Sequence, residues 1–182
     1  MHRLVACLAL VAALLAGPVT AFEDPERTWS HKAWHVAFTA GACSLWTGSD
    51  GSGTFELTFG RGGVDGAAHY LPIVYSNLPL PLREEDGYEI LIDGQPSGFG
   101  PEMWFYDGPD AYGRYMVGAA LTGGFVPDLV EAFRQGNALA IRVTPMGKAA
   151  YVADAFSLAG FSAAYLKASE WCQFDPDALL RS

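Results

Sequence analysis

"WHVAFTAGACSLWTGSDGSGTFELTF", Trp34 to Phe59, is the stretch on which the fold turns. Trp34, Val36 and Phe38 alternate with His35, Ala37 and Thr39. Successive side chains of a strand leave opposite faces, so this period of two marks a strand with one buried side. "ACSLWT" repeats the pattern, with Cys43 and Leu45 on one face. Gly48 to Gly53 is a turn cluster, and "TFELTF" returns through Phe55, Leu57 and Phe59. Three strands in succession, joined by short turns, predict an antiparallel meander.

Upstream, Glu23 to Ser30 reads as a polar lead. Downstream, "GRGGVDG" at Gly60 to Gly66 reads as a loop, and "HYLPIVYS" as a strand. Pro72 has no N–H to give a ladder, which places that strand at an edge or a bulge. "NLPLPL" is extended. "YEILID" is a strand that turns at Asp93-Gly94, and "PEMWFYD" and "AYGRYMV" are strands around Gly108-Pro109. The character then changes. "VPDLVEAFRQG" puts Leu129, Val130 and Phe133 on one helical face. Pro127 and Asp128 suit its start, and Arg134 and Gly136 its end. "ALAIRVT" and "AFSLAG" return to strand. Phe161, Ala164, Tyr165, Ala168, Trp171 and Cys172 then recur in steps of three and four, one face of a closing helix. The order predicts a mainly β, α+β domain: an antiparallel β-sandwich-like sheet with two helices in the C-terminal half.

The first 21 residues read as a signal peptide. Arg3 is a short basic start, Leu4 to Ala16 is apolar, Gly17-Pro18 breaks the run, and Val19-Thr20-Ala21 fits cleavage before Phe22. The run has 13 residues, whereas a spanning helix needs about 20. "LVAC" at Leu4 to Cys7 resembles a lipidation box but sits at the wrong end of the run, so Cys7 is expected to leave with the leader. Residues 22–182 are then a single β-rich exported domain, periplasmic or secreted and not membrane-spanning.

Losing Arg3 moves the formal charge from −9 to −10. Such a domain repels phosphate backbones and anionic lipid, so nucleic acid is not an expected partner. Cys43 and Cys172 are the two cysteines left after cleavage. In an oxidising compartment two cysteines suggest one disulfide. Cys172 falls on the helical face of Phe161, Tyr165 and Ala168; Cys43 falls on the strand face of Leu45. Both aim at one helix–sheet interface, which predicts a Cys43–Cys172 clasp.

Three constellations suggest chemistry. Gly160-Phe161-Ser162 resembles a nucleophile elbow in a strand–turn–helix context. That elbow needs a histidine later in the chain, and His31, His35 and His69 all lie upstream. Ser162 is instead expected to cap the helix start. His31 and His35, four apart, could share a metal with His69 or Asp65, but two histidines do not fill a zinc site. A Ser162 hydrolase and a histidine metal enzyme are the rival readings; no catalytic residue, metal or cofactor is expected. Trp104, Tyr106, Tyr112 and Tyr115 form the third group. Alternation buries half of such a stretch, and the outward half could present an aromatic surface to an envelope or extracellular protein, peptide or glycan.

The "WHVAF" strand before Cys43, the "ILIDG" segment, the "LVEAFRQGNALAIRV" helix–strand unit and the closing "FSLAGFSAAYLKASEWC" together resemble the invasion-associated locus B group of small exported bacterial proteins. The resemblance implies a periplasmic or secreted, non-enzymatic β-rich domain with no catalytic residues to transfer. The expected function is an exported, envelope-associated or secreted binding or interaction domain.

Overall fold

The computed structural model describes residues 25–50, 53–72, 85–100, 103–109, 115–121 and 123–177. The leader with Cys7, the "NLPLPL" segment and Tyr112 lie outside the described residues.

Two antiparallel sheets and two helices enclose one core. The larger sheet holds β1 (Arg27–His31), β2 (Trp34–Thr39), β3 (Ala42–Gly48), β4 (Thr54–Gly60) and β5 (Ala67–Leu71) in order, then β9 (Tyr115–Leu121) and β8 (Met103–Pro109). The smaller runs β11 (Tyr151–Ser157), β10 (Ala138–Thr144), β6 (Gly87–Ile92), β7 (Gln95–Pro96). The expected meander is β2-β3-β4. Its inward residues Trp34, Val36, Phe38, Cys43, Leu45, Phe55, Leu57 and Phe59 are all buried. Asp93 and Gly94 both take positive φ, as a two-residue hairpin turn requires, and join β6 to β7.

The helices α1 (Val126–Gln135) and α2 (Phe161–Cys172) stand where the apolar periods place them. Helix α1 buries Val126, Leu129, Val130 and Phe133. Helix α2 packs on β2 and β3. Its small residues Ala164 and Ala168 are fully buried at that contact. Rings lock the layers together. Phe55 meets Phe133 of α1 and Phe156 of β11 edge-on, with centroids 5.4 and 6.0 Å apart. Trp34 meets Phe161 at 4.9 Å, and its indole N–H donates to the Ser157 carbonyl at 2.9 Å. Edge-on geometry sets the positive rim of one ring against the negative face of the next.

Three expectations are corrected. The polar lead contains a strand: β1 pairs with β2 at the sheet edge, and four of its five residues are exposed. An edge strand with one half-buried residue, Trp29, carries no apolar alternation to read. Strand β5 is internal, between β4 and β9, and ends at Leu71. The sheet accommodates Pro72 by stopping before it. Strand β11 begins at Tyr151, four residues earlier than "AFSLAG". A register shift opposite Ile141 and Arg142 breaks its period, leaving Tyr151 and Val152 both exposed.

Candidate binding surface

The disulfide joins Cys43 of β3 to Cys172 at the end of α2, with Cα atoms 6.1 Å apart and both residues buried. It is a structural clasp: both residues face the helix–sheet interface and have no exposed surface.

The elbow at Gly160 is structural too. Gly160 takes φ 100°, and a Cβ there would run into the His31 carbonyl. Only glycine permits both the left-handed backbone and that approach. Ser162 does not cap the helix. It is the second helical residue, and Gly160 stands at the cap with no side-chain hydrogen bond. The expectation fails because the turn is set by the close approach to β1, which moves the helix start upstream of the serine.

The histidine pair also dissolves. His31 lies on β1 opposite Trp34, and His35 lies on β2 opposite Ser30. Directly opposed residues share a face, so His31 and His35 fall on opposite faces of their hairpin. Each stacks on a tryptophan instead: His31 on Trp29 at 5.8 Å, His35 on Trp46 at 5.4 Å.

His35 opens a row that the sequence does not display. It opposes Trp46, Trp46 opposes Glu56, and Glu56 opposes His69. His69 opposes Ala120, and Ala120 opposes Trp104. Six strands thus bring His35, Trp46, Glu56, His69, Ala120 and Trp104 into one line on the face away from the main core cluster, with Ala120 itself buried. Neighbouring strands lie about 4.8 Å apart, so Trp46 and Trp104, four strands apart in the sheet order, are separated by about 19 Å. The next row is small and polar: Ala37, Ser44, Thr58 and Ala67. The line therefore combines two indoles, two imidazoles and one carboxylate: flat apolar surfaces beside groups that donate, accept and carry charge.

Of the four aromatic residues expected at a contact surface, Trp104 is 55% exposed. Tyr106 takes the register position opposite Gly118 and Tyr115 that opposite Pro109. The sequence pointed to Trp104 but missed His35, Trp46, Glu56 and His69 as its partners. Their alternation against buried neighbours marks each as outward, but aligning them needs the register.

Among the described residues, two clefts bear on the surface. One, of about 600 Å³, lies between the Gly60–Gly66 loop and the start of α1, with Phe59 and Val126 at its base. Glycines there are structural: a Cβ on Gly123 would press on the Gly66 carbonyl at 2.7 Å. The second, of about 470 Å³, lies between the start of β6 and β8 and includes Trp104. Among the described residues no cluster of three or more metal-ligating side chains forms, and no helix is long and apolar enough to cross a membrane.

No family model and no curated protein matches the chain. A solved structure does: the crystal structure of invasion associated protein B from Bartonella henselae. The match has a TM-score of 0.54 at 15% identity and covers 86% of this chain and 100% of that one. At that identity the likeness is one of fold. Its two-sheet, two-helix fold makes the chain a distant structural counterpart of invasion associated protein B, in keeping with the group its motifs resemble.

Proposed function

We propose that the protein is an exported, non-catalytic binding domain of the bacterial envelope or its surroundings, and that it binds through the outer face of its larger sheet. The observation that carries this reading is the row from His35 to Trp104. Sheet faces left to solvent are usually covered with short polar and charged side chains; here one line holds two tryptophans, one of them more than half exposed. Large aromatic side chains, tryptophan above all, are among the residues that dominate contact energies. The leader motif, the buried disulfide and the shared fold support export. The exposed position of Ser162 on α2, with every histidine upstream, supports a non-catalytic role.

Crosslinking in intact envelopes, followed by capture of the protein, tests this. Wild type should retain a discrete partner that a Trp46→Ala/Trp104→Ala variant loses, with the thermal midpoint little changed. Equal capture by both would remove the outer face from the reading. Intact mass of the captured protein should show a chain beginning at Phe22; retention of residues 1–21, or lipid on Cys7, would overturn the export assignment.

A further inference from the structure

Strand β8 is an edge of the larger sheet, and among the described residues it pairs with β9 alone. In an antiparallel pair, alternate residues turn their backbone groups toward the partner strand or away from it. The Met103 N–H donates to the Gly100 carbonyl at 3.0 Å, so Met103 points away from β9. Counting in twos, Phe105 and Asp107 also turn their N–H and C=O groups outward. Pro109 has no N–H and ends the run. Among the described residues this leaves a stretch of open ladder, with two donors and two acceptors.

The other edges are guarded more fully; on β8 the charge, Asp107, and the proline, Pro109, fall within the last three residues and leave Met103–Tyr106 without either. Strand β1 carries Arg27 and lies next to Lys32. Strand β7 is two residues long and ends in Pro96. On β11, Asp50 closes the edge: its N–H donates to the Ala155 carbonyl and its carboxylate accepts from the Ala155 N–H. Charge, shortness, proline and cover are the ordinary ways to silence an edge.

Beside β8 lies the 470 Å³ cleft, lined by Asp86, Tyr88, Gly100, Met103, Trp104 and Phe105 among others. Met103, Trp104 and Phe105 are consecutive. Neighbours on a strand point to opposite faces, so a space that touches all three runs along the strand's edge. Tyr88 stacks on Phe105, with centroids 6.5 Å apart and planes within 11°. Among the described residues, Asp86 is the one charged residue of the lining. Its carboxylate is fixed by the Met146 N–H at 3.3 Å, and Glu85 precedes it in the chain. Aromatic faces and a carboxylate favour a cation, and the acidic chain as a whole adds to that preference.

We infer that β8 is an acceptor strand: an extended, lysine- or arginine-bearing segment of a partner protein pairs along Phe105–Asp107 and places a basic side chain in the cleft against Asp86, Tyr88 and Trp104. Main-chain pairing gives such a site its affinity and the side-chain cleft its choice of partner. The inference rests on the binding-domain reading and narrows it to a partner class; Trp104 belongs to both, as the end of the outer-face row and a wall of the cleft.

Nuclear magnetic resonance on isotope-labelled protein tests it. The probes are an acetylated alternating lysine–valine octapeptide, its glutamate–valine counterpart, and two lysine–valine versions N-methylated at one or the other set of alternate amides. In the free protein, the Phe105 and Asp107 amides should exchange with solvent far faster than those of Trp104 and Tyr106. The lysine peptide should shift the Phe105 and Asp107 amides and slow their exchange at least tenfold. The glutamate peptide, and at least one N-methylated version, should bind at least tenfold more weakly, and Asp86→Asn should weaken the lysine peptide severalfold. Equal binding of lysine and glutamate peptides, indifference to both methylation patterns, or no lysine-peptide binding at millimolar concentration would each overturn the acceptor strand. So would chitohexaose shifting the Trp46 row while β8 stays unmoved, since the ligand would then be a glycan on the face. That result, or envelope capture that survives Phe105→Pro, would leave the binding-domain reading standing without the edge.

Discussion

Replacing Cys43 and Cys172 together by alanine should cost this protein much of its stability. The bridge spans a sequence separation of 129 residues. Cross-linking removes loop-closure entropy from the unfolded chain, and for a loop of that length the entropy model assigns about 5 kcal/mol at 25 °C. A domain's whole net stability is about 5–15 kcal/mol. The structure adds a reason for the effect to be felt locally as well. The bridge anchors the last residue of α2 to the third strand of the sheet, and the rest of α2 lies between those points on β2 and β3. Without it, α2 is held by packing, chiefly that of Phe161, Ala164, Tyr165 and Ala168. For a chain of this size each kcal/mol moves the thermal midpoint by roughly 2–4 °C, so the loss should be about 10–20 °C. Calorimetry on the double-alanine variant, and on wild type unfolded and scanned in reductant, reads it directly. Reduction of native wild type should be slow, because neither cysteine has exposed surface, and should speed up as urea is added. Midpoints that agree within about 3 °C with and without the bridge, against the 2–4 °C expected per kcal/mol, would refute the clasp as a main source of stability. So would free thiols at both positions in folded, oxidised protein.

Three further outcomes follow from named contacts. The buried Asp154 carboxylate accepts from the Tyr70 hydroxyl at 2.5 Å and the Gly53 N–H at 3.4 Å; Tyr70→Phe leaves an oxygen unsatisfied and should cost about 1–3 kcal/mol in urea unfolding. Burial first, and the Asp154 bond second, push the Tyr70 hydroxyl above its ordinary pKa of 10.0. The protonated form is the one the fold favours, so stability present below pH 10 should decline as pH rises beyond it; a flat alkaline profile would count against the pair. Asp93 accepts from the Asn137 and Ala138 N–H groups at 2.9 Å each, which holds its carboxyl below the ordinary value of 3.8. Its contribution is present above that value and lost as pH falls through the folded pKa, so wild type and Asp93→Asn should differ at pH 7 and converge in acid; a constant gap in urea midpoint would show the charge to be irrelevant. Ser162→Ala should change stability by no more than about 0.5 kcal/mol, the scale of surface substitutions, and wild type should take no adduct from a serine-directed phosphonate; stoichiometric labelling of Ser162 would reopen the hydrolase.

What could be read from the chain alone was whatever a local period records. The β2-β3-β4 meander, helix α1 between Pro127 and Gly136, the Asp93-Gly94 turn and helix α2 all follow from spacings of two or of three and four, because side-chain direction repeats with the backbone. The cysteine pairing was legible for the same reason: each residue's face was fixed by its own neighbours, and one interface was available to both. Tertiary structure decided the rest. Strand β1 has no apolar alternation because its sheet partner, not its own pattern, makes it a strand. Pro72 could be placed only once β5 was known to stop before it, and Ser162 lost its cap to a glycine fixed by the approach of β1. The row from His35 to Trp104 is the clearest case. His35, Trp46, Glu56 and His69 each read as merely outward in their own strands. They become a surface because β5 pairs with β9 rather than with β6, and because each register is set by turns and core packing far from the residues it aligns. A strand's sequence fixes which side a residue faces; which residue stands beside it across the sheet is a property of the closed chain.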